Sequence, residues 1–213
     1  MSETIFFDLD GTILDTEKHY RKCWVEAANS LGYPMTDEQA LSLRSLGRPF
    51  AVDRINGFFN DSEAYGKIRT KRMELMNKTL KEKGIELKPY AAETLTELQK
   101  RGHSLVIVTA TDLERTQTYL RSLGLLDFFD KIVCATMVEK GKPAPDVYLY
   151  AASEVKKNPS QLYAVEDSPN GVMSAFNAGC KTIMIPDQTQ PDEELKSHLY
   201  KQFDSLRDLL TIF

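Results

Sequence analysis

Five short apolar runs constrain the fold more than any other feature of the sequence. They lie at residues 5–7, 104–109, 131–135, 162–165 and 181–185. Each run is nearly continuous in apolar or β-prone residues, which is typical of strands that are covered on both faces. Segments with helical start and stop signals separate the later runs. We therefore predict an α/β fold in which right-handed helical crossovers join the strands of a mainly parallel sheet.

The predicted crossover helices are bounded by capping residues and glycines. Residues 91–101 end before Gly102, and residues 146–155 follow Pro145. A further helix spans residues 171–178 and follows Ser168 and Pro169. The pattern Thr111-Asp112-Leu113-Glu114 resembles a capping box, and it opens a helix that stops at Gly124.

Residues 15–82 contain helical patterns and no apolar strand run. Trp24, Ala27, Ala28 and Leu31 are spaced as one face of a helix. A second capping box begins at Thr36, and residues 62–83 carry Met73, Met76 and Leu80 on one face. We predict two domains, a core of residues 1–14 and 83–213 and a helical domain of residues 15–82 inserted after the first strand.

Composition excludes several classes of protein. The 213 residues carry a formal net charge of −4, which argues against a nucleic-acid-binding surface. No stretch of 18 apolar residues and no secretory signal pattern occurs, so we expect neither a membrane partner nor export. The three cysteines are scattered without metal-binding spacing, as is typical of the reducing cytoplasm. We expect a cytoplasmic monomer.

Polar residues are concentrated where the predicted strands end. Asp8 and Asp10 follow the first strand, Thr109 ends the second, and Glu166 and Asp167 end the fourth. Lys142 lies just before the predicted helix that leads to the fourth strand, and we expect it at the same edge. The carboxyl ends of parallel strands meet at one edge of a sheet, where ligands bind. Carboxylates without His or Cys favour a hard ion, Mg²⁺ rather than Zn²⁺. Mg²⁺ shares its ligand shell with phosphate oxygens, so the pattern indicates phosphoryl transfer.

Each of these features has an ordinary alternative explanation. Asp10-Gly11 alone is more often a turn, and Thr109 alone is usually a hydroxyl that ends a strand. Lys142 before Pro143 is usually a solvated charge, and Asp167-Ser168-Pro169 is a common helix start. Their order on successive strand ends is what favours a catalytic site.

With these motifs together, the sequence resembles the haloacid dehalogenase-like hydrolase superfamily. The similarity is to its branch with a helical cap after the first strand, which includes β-phosphoglucomutase and many sugar-phosphate phosphatases. It extends from residue 6 to about residue 186 and implies a Rossmann-like core. The motifs are DLDGT at residues 8–12, Thr109, GKPAPD at residues 141–146 and EDSPNG at residues 166–171.

The resemblance implies a role for each residue of these motifs. Asp8 would be the nucleophile and a Mg²⁺ ligand, and it would form an aspartyl phosphate. Asp10 would be the general acid and base, and its backbone carbonyl would bind Mg²⁺. Asp167 would bind Mg²⁺ directly and Glu166 through a water. The phosphoryl group of a small phosphorylated metabolite would be held by Thr109, Ala110 and Lys142.

The inserted helices would form a mobile cap, with hinges near residues 14–17 and 82–89. Arg44 and Arg48 match the stretch through which capped members contact substrate, although solvated cations at a helix end are an alternative. Many members have a His where this chain has Tyr20, and here His19 comes one residue early. We interpret His19 as a surface or packed residue.

Because Tyr20 stands where many members have a His, we rank a phosphatase first and a phosphosugar mutase second. Asp10 disfavours a dehalogenase, and the lack of membrane helices disfavours a transporting ATPase. Two non-catalytic alternatives remain, a receiver-type phospho-acceptor module and a degenerate binding protein. Receiver modules are shorter and lack the insertion, and no catalytic position is substituted in this chain.

Overall fold

The computed structural model describes residues 2–213 and contains a six-stranded sheet. The strands are β1 (Thr4–Phe7), β2 (Ser104–Thr109), β3 (Lys131–Cys134), β4 (Tyr163–Glu166), β5 (Lys181–Met184) and β6 (Lys201–Gln202). Their order is β3-β2-β1-β4-β5-β6, and all neighbouring pairs are parallel. The order reverses direction beside β1, as in Rossmann-like folds, and ligands bind such sheets at that point of reversal.

The five predicted strands are confirmed, each to within one residue at either end. The sixth strand was missed. It has only two residues, Lys201 and Gln202, and both are exposed. A short polar edge strand carries no apolar run, so its pairing with β5 is visible only in three dimensions.

Four helices follow β1 before the chain returns to the sheet. They are α1 (Glu17–Ser30), α2 (Asp37–Leu41), α3 (Phe50–Phe59) and α4 (Ala64–Lys83), and we call residues 17–83 the helical insert. Its buried side chains, such as Trp24, Ile55 and Ile68, form a cluster of their own. The insert therefore has its own hydrophobic core, distinct from the cores on either face of the sheet.

The sequence patterns within the insert are mostly confirmed. Ala27 and Ala28 are fully buried, and the capping box of Thr36 and Gln39 is present in both directions. Met76 is also fully buried. Leu31 was wrongly placed on the packed face. Because α1 ends at Ser30, Leu31 lies beyond the helix and is 43% exposed.

The remaining helices flank the sheet. They are α5 (Ala91–Lys100), α6 (Leu113–Ser122), α7 (Asp146–Glu154), α8 (Pro169–Asn177) and α9 (Glu193–Ser197). Short 3-10 turns occur at Leu126–Phe128, Ala135–Met137, Pro159–Gln161 and Leu206–Thr211.

Two helix starts decide how the site is built. Ser168 caps α8, because its hydroxyl accepts a hydrogen bond from the Gly171 amide at 3.2 Å. The capping-box pattern predicts Thr111 as the N-cap of α6, but the structure has Asp112 in that position. Asp112 accepts a hydrogen bond from the Arg115 amide at 3.0 Å, which leaves the Thr111 hydroxyl free for another partner.

Alternate residues of the strands face the two sides of the sheet. In β1, Ile5 and Phe7 pack with the side that carries α5 and α6, whereas Phe6 packs with the side that carries α7 and α8. Both faces are covered, which explains why the strands are continuously apolar. No helix within residues 2–213 is both long enough and apolar enough to cross a membrane.

Candidate active site

The carboxyl end of β1 lies beside that of β4, and this pairing brings the predicted acids together. The Asp8 amide donates a hydrogen bond to the Val165 carbonyl at 3.0 Å. Asp8 therefore continues the pairing of the two strands just before Glu166 and Asp167. All three acids are buried, with exposures of 0–2%. The convergence predicted from strand ends is present in the structure.

Lys142 lies at the centre of this group and is fully buried. Its Nζ donates to Asp8 Oδ1 at 2.5 Å, to Glu166 Oε1 at 2.7 Å and to the Val108 carbonyl at 2.9 Å. It is not a solvated charge. The ammonium group ties the ends of β1, β2 and β4 to one point and neutralises part of the acid charge.

Asp8, Glu166 and Asp167 could share a cation. Each offers a carboxylate oxygen, and the three oxygens lie within 4.8 Å of one another. Asp8 Oδ2, Glu166 Oε2 and both Asp167 oxygens are buried without a hydrogen-bond partner within the described chain. Buried acceptors without partners are costly, and an all-oxygen donor set suits a hard divalent ion such as Mg²⁺. The residues present therefore fit the metal that the sequence predicts.

The protonation equilibria of these acids reflect the crowded negative charge. Burial raises the pKa of Asp8 well above its ordinary value, and the charges of Glu166 and Asp167 add to this while Lys142 opposes it. Burial likewise raises the pKa of Asp167 to about 7, against the opposing charge of Arg44. Burial opposes the charged form of Lys142, but Asp8 and Glu166 together raise its pKa. Burial and mutual repulsion thus favour the protonated forms of Asp8 and Asp167, and a second cation would oppose this.

The Asp10 side chain lies apart from the three-acid group. Its Oδ1 accepts a hydrogen bond from the Thr16 hydroxyl at 2.5 Å, and its Oδ2 accepts one from Thr111 at 2.6 Å. Burial raises the pKa of Asp10, although both hydroxyls oppose that rise. A buried carboxyl held by two hydroxyls and facing a cavity can exchange a proton with a bound molecule.

A cavity of about 460 Å³ separates the strand ends from the helical insert. Asp8, Asp10, Thr109 and Ala110 contribute to its wall on the sheet side. The Thr109 hydroxyl oxygen accepts from the Thr111 amide at 3.0 Å, so its proton can still be donated. Asp8, Asp10, Thr109 and Ala110 thus face one space of the size of a small metabolite. Lys142, Glu166 and Asp167 are fully buried and do not contribute to the cavity wall.

Arg44 and Arg48 reach the same cavity from the α2–α3 loop, but in different ways. Arg44 is buried, and its Nε lies 3.6 Å from Asp167 Oδ2, so it is not a solvated cation. Its carbonyl accepts a hydrogen bond from Asn170 Nδ2 at 2.8 Å. Arg48 is exposed at the cavity wall.

The α2–α3 loop also contacts the loop that carries Lys142 through backbone atoms. The Gly47 amide donates to the Lys142 carbonyl at 2.8 Å, and the Gly141 amide donates to the Arg48 carbonyl at 2.7 Å. A Cβ atom at Gly47 would lie 2.6 Å from the Gly141 Cα, and one at Gly141 would lie 2.7 Å from the Gly47 Cα. The two loops can approach this closely only because both residues are glycines.

Two neighbouring residues of α1 differ in their relation to the cavity. His19 is buried and does not contribute to the cavity wall, whereas Tyr20 does. Burial lowers the pKa of His19. The interpretation of His19 as a packed residue agrees with its position.

Glu17 is a cavity residue that the sequence reasoning missed. It is buried, and its pKa is raised well above the ordinary value by burial and by the charges of Asp167 and Asp10. In sequence it looks like an ordinary acid in the first turn of a helix. Only its position five residues after Thr12, the last residue of the DLDGT motif, could have indicated a role.

The cavity wall also carries arginines that were not predicted as site residues. Arg72 lies over the rings of Tyr20 and Trp24, at 5.0 and 4.6 Å from their centroids. A periodic signal was available for two of them, since Arg69 and Arg72 are three residues apart on α4. The full set of arginines in the wall is Arg21, Arg44, Arg48, Arg69, Arg72 and Arg115.

Known proteins with similar sequences act on phosphate esters. The fructose-1-phosphate phosphatase YqaB of Escherichia coli is 29% identical over 189 residues, which cover 85% of this chain and 95% of that protein. The β-phosphoglucomutase of Bacillus subtilis is 26% identical, with 89% and 85% covered. The crystal structure of CbbY from Rhodobacter sphaeroides in complex with phosphate superposes with a TM-score of 0.79 at 29% identity, covering 98% of this chain and 96% of that one.

The sequence profile of one family spans most of the chain. It matches residues 5–185 and so includes Asp8, Lys142 and Asp167, which the structure brings together. The fold, the buried acids and the sequence match agree with one another. The chain belongs to the haloacid dehalogenase-like hydrolase family.

Proposed function

We propose that this protein is a Mg²⁺-dependent phosphatase of small phosphorylated metabolites, sugar phosphates among them, and that Asp8 is its nucleophile. The observation that carries this proposal is the buried group of Asp8, Glu166 and Asp167, which offer carboxylate oxygens within 4.8 Å of one another and include oxygens without a hydrogen-bond partner in the described chain. Lys142 pairs with Asp8 and Glu166, and Asp8 also lines the cavity. The relatives named for phosphatase activity support the same conclusion.

The proposed reaction has two steps. A carboxylate oxygen of Asp8 bonds to phosphorus while the ester bond breaks, and Asp10 gives its proton to the departing oxygen. Water then attacks phosphorus, Asp10 takes the proton, and inorganic phosphate leaves Asp8. The raised pKa of Asp10 suits this exchange, because general acids work best when their pKa approaches the working pH.

The other residues hold charge and position. Lys142 fixes Asp8 Oδ1 by a short hydrogen bond, and its positive charge would offset charge that develops around Asp8 during transfer. Thr109 can donate its hydroxyl proton to a phosphoryl oxygen, and Ala110 lies beside it in the cavity wall. Asp8, Glu166, Asp167 and the Asp10 carbonyl would hold Mg²⁺. When bound, Mg²⁺ offsets negative charge on the transferring group.

The helical insert would act as a mobile cap of residues 15–82. Support comes from the two chain connections, which run side by side. The Asp15 amide donates to the Glu86 carbonyl and the Lys88 amide to the Ile13 carbonyl, each at 2.8 Å. Bending at residues 14–17 and 82–89 would move the insert as a unit and admit substrate. The arginines of the cavity wall favour an anionic substrate.

The cysteines support a cytoplasmic location. Cys23, Cys134 and Cys180 are free and buried, so the protein has no need of an oxidising compartment. Family membership argues against a receiver-type module, because the chain shares both core and insert with hydrolases.

The test is hydrolysis of a chromogenic aryl phosphate in the presence of Mg²⁺ and after chelation. Asp8→Asn should abolish turnover because an amide cannot form the acyl phosphate, and substantial residual activity would reject Asp8 as the nucleophile. Asp10→Asn should lower the rate by about 10²- to 10⁴-fold. Asp53→Asn is the matched control, since Asp53 is exposed on α3 and does not contribute to the cavity wall.

A phosphosugar mutase is the second candidate, favoured by the similarity to the Bacillus subtilis β-phosphoglucomutase. The protein should be incubated with β-glucose 1-phosphate and a bisphosphate primer. Release of inorganic phosphate supports the phosphatase, whereas rapid formation of glucose 6-phosphate supports the mutase. A comparison of kcat/KM across phosphorylated metabolites would then identify the substrate.

A further inference from the structure

Tyr148 is a large, fully buried polar side chain that lies beneath the proposed metal site. It belongs to α7, the helix that begins directly after the Lys142 loop. Its ring packs against Phe6 of β1, with 6.1 Å between the centroids. The tyrosine therefore contacts the strand that ends at Asp8.

The Tyr148 hydroxyl has one partner, and that partner is an acid of the site. It donates a hydrogen bond to Glu166 Oε1 at 2.5 Å. Lys142 Nζ donates to the same oxygen at 2.7 Å and lies 5.4 Å from the centroid of the Tyr148 ring. Burial raises the pKa of Tyr148 well above its ordinary value, so the hydroxyl remains a neutral donor.

The two donors leave the Glu166 carboxylate with one free oxygen. Oε1 accepts from Tyr148 and Lys142, whereas Oε2 is buried without a hydrogen-bond partner in the described part of the chain. Oε2 lies directly against the backbone of Gly171, where an added Cβ atom would overlap it. The Glu166 carboxylate is thus held between the Tyr148 hydroxyl of α7 and the Gly171 backbone of α8.

We propose that Tyr148 is a positioning residue for the divalent-ion site, whose hydroxyl fixes the Glu166 carboxylate so that Oε2 stays free for the ion. The inference rests on the proposed function only in taking the acid group as a cation site. Packing alone does not explain the hydroxyl, because phenylalanine would fill the same space without a polar atom to bury. The hydrogen bond to a carboxylate offsets that cost only while Glu166 is in place.

The test compares Mg²⁺ binding by the wild type and by Tyr148→Phe, measured by isothermal titration calorimetry without substrate. Residues that orient a metal ligand typically contribute about 10- to 100-fold to metal affinity. We expect Tyr148→Phe to weaken Mg²⁺ binding by about tenfold. Tyr150→Phe is the matched control, because Tyr150 lies on the same helix and is 37% exposed. That variant should bind Mg²⁺ as the wild type does.

A double-mutant cycle separates positioning from a general structural effect. In a Glu166→Gln background, adding Tyr148→Phe should change Mg²⁺ affinity by less than about twofold, because the partner carboxylate is already gone. A full tenfold loss in that background would overturn the proposal, as would unchanged affinity in the single variant. Failure of Tyr148→Phe to fold would also overturn it, since the hydroxyl would then serve the fold.

The experiment distinguishes this inference from the proposed function. If the wild type binds Mg²⁺ and Tyr148→Phe binds it equally well, only the role of Tyr148 is wrong. If the wild type does not bind Mg²⁺, the metal dependence of the proposed phosphatase is wrong, and the role of Tyr148 fails with it.

Discussion

Replacement of Lys142 by methionine tests the charge balance of the site. The substitution keeps a long side chain but removes an ammonium group that is fully buried and donates three hydrogen bonds. Asp8 and Glu166 would remain buried without their cation. Removing one partner of a buried ion pair typically costs about 3–5 kcal/mol of folding free energy. We expect a loss of that size in Mg²⁺-free buffer at about pH 8.

The loss should depend on pH in a direction that follows from the structure. Lys142 lowers the pKa of Asp8, so its removal raises that pKa further. At pH values above the ordinary pKa of a carboxyl group, the folded variant then binds more protons than its unfolded chain. Its free energy of unfolding therefore falls as the pH rises. The deficit relative to the wild type should therefore be smaller at about pH 5 than at about pH 8.

Urea denaturation at the two pH values, in the presence of a chelator, gives the free energies of unfolding. Lys131→Met is the matched control, because Lys131 Nζ lies 3.0 Å from Glu154 Oε2 and both side chains are about 40% exposed. Exposed pairs contribute about 0–1 kcal/mol. A Lys142→Met deficit no larger than that of Lys131→Met, or one that grows as the pH falls, would refute the reasoning.

Three further outcomes are expected. In a chelator, the stability of the wild type should fall between about pH 4 and pH 7, because the raised pKa of Asp167, about 7, keeps it protonated only in the folded state. Each unit of pKa difference between the folded and unfolded states is worth about 1.4 kcal/mol, so the free energy of unfolding should fall by on the order of 4 kcal/mol. Urea midpoints that do not change with pH would contradict this. Gly171→Ala should displace the Glu166 carboxylate, lowering stability by about 1–3 kcal/mol and weakening Mg²⁺ binding, as thermal melts with and without Mg²⁺ would report. Glu17→Ala should lower kcat/KM for sugar phosphates by about tenfold, because the hydroxyl groups of the sugar would lose a buried acceptor in the cavity wall. The kcat/KM for an aryl phosphate, which has no such hydroxyl groups, should be unchanged. Equal losses for both substrates would contradict that role.

The core of the site was predictable because strand ends are recorded in the sequence. A continuous apolar run predicts a buried parallel strand, and the polar residue that ends it must then lie at one edge of the sheet. Asp8, Thr109, Glu166 and Asp167 were found in this way. Lys142 does not end a strand, and it was placed with them from its position just before a predicted helix as well as from its motif.

The residues that were missed depend on contacts between distant segments. Glu17 looks like a helix-start acid and Tyr148 like part of a packed helix face, so neither sequence context distinguishes them. Arg44 was predicted as a site residue, but its contact with the backbone of Asp167, which is 123 residues away, was not. Such contacts depend on how the insert lies over the sheet. The spacing of apolar residues does not record that arrangement.

The backbone contact between Gly47 and Gly141 limits how this protein can diverge. Each position tolerates no side chain while the other keeps its present path, although the two belong to different parts of the fold. A side chain gained at either glycine would force the two loops apart at the wall of the cavity. Lineages that change one of these residues would therefore have to rebuild the facing loop as well.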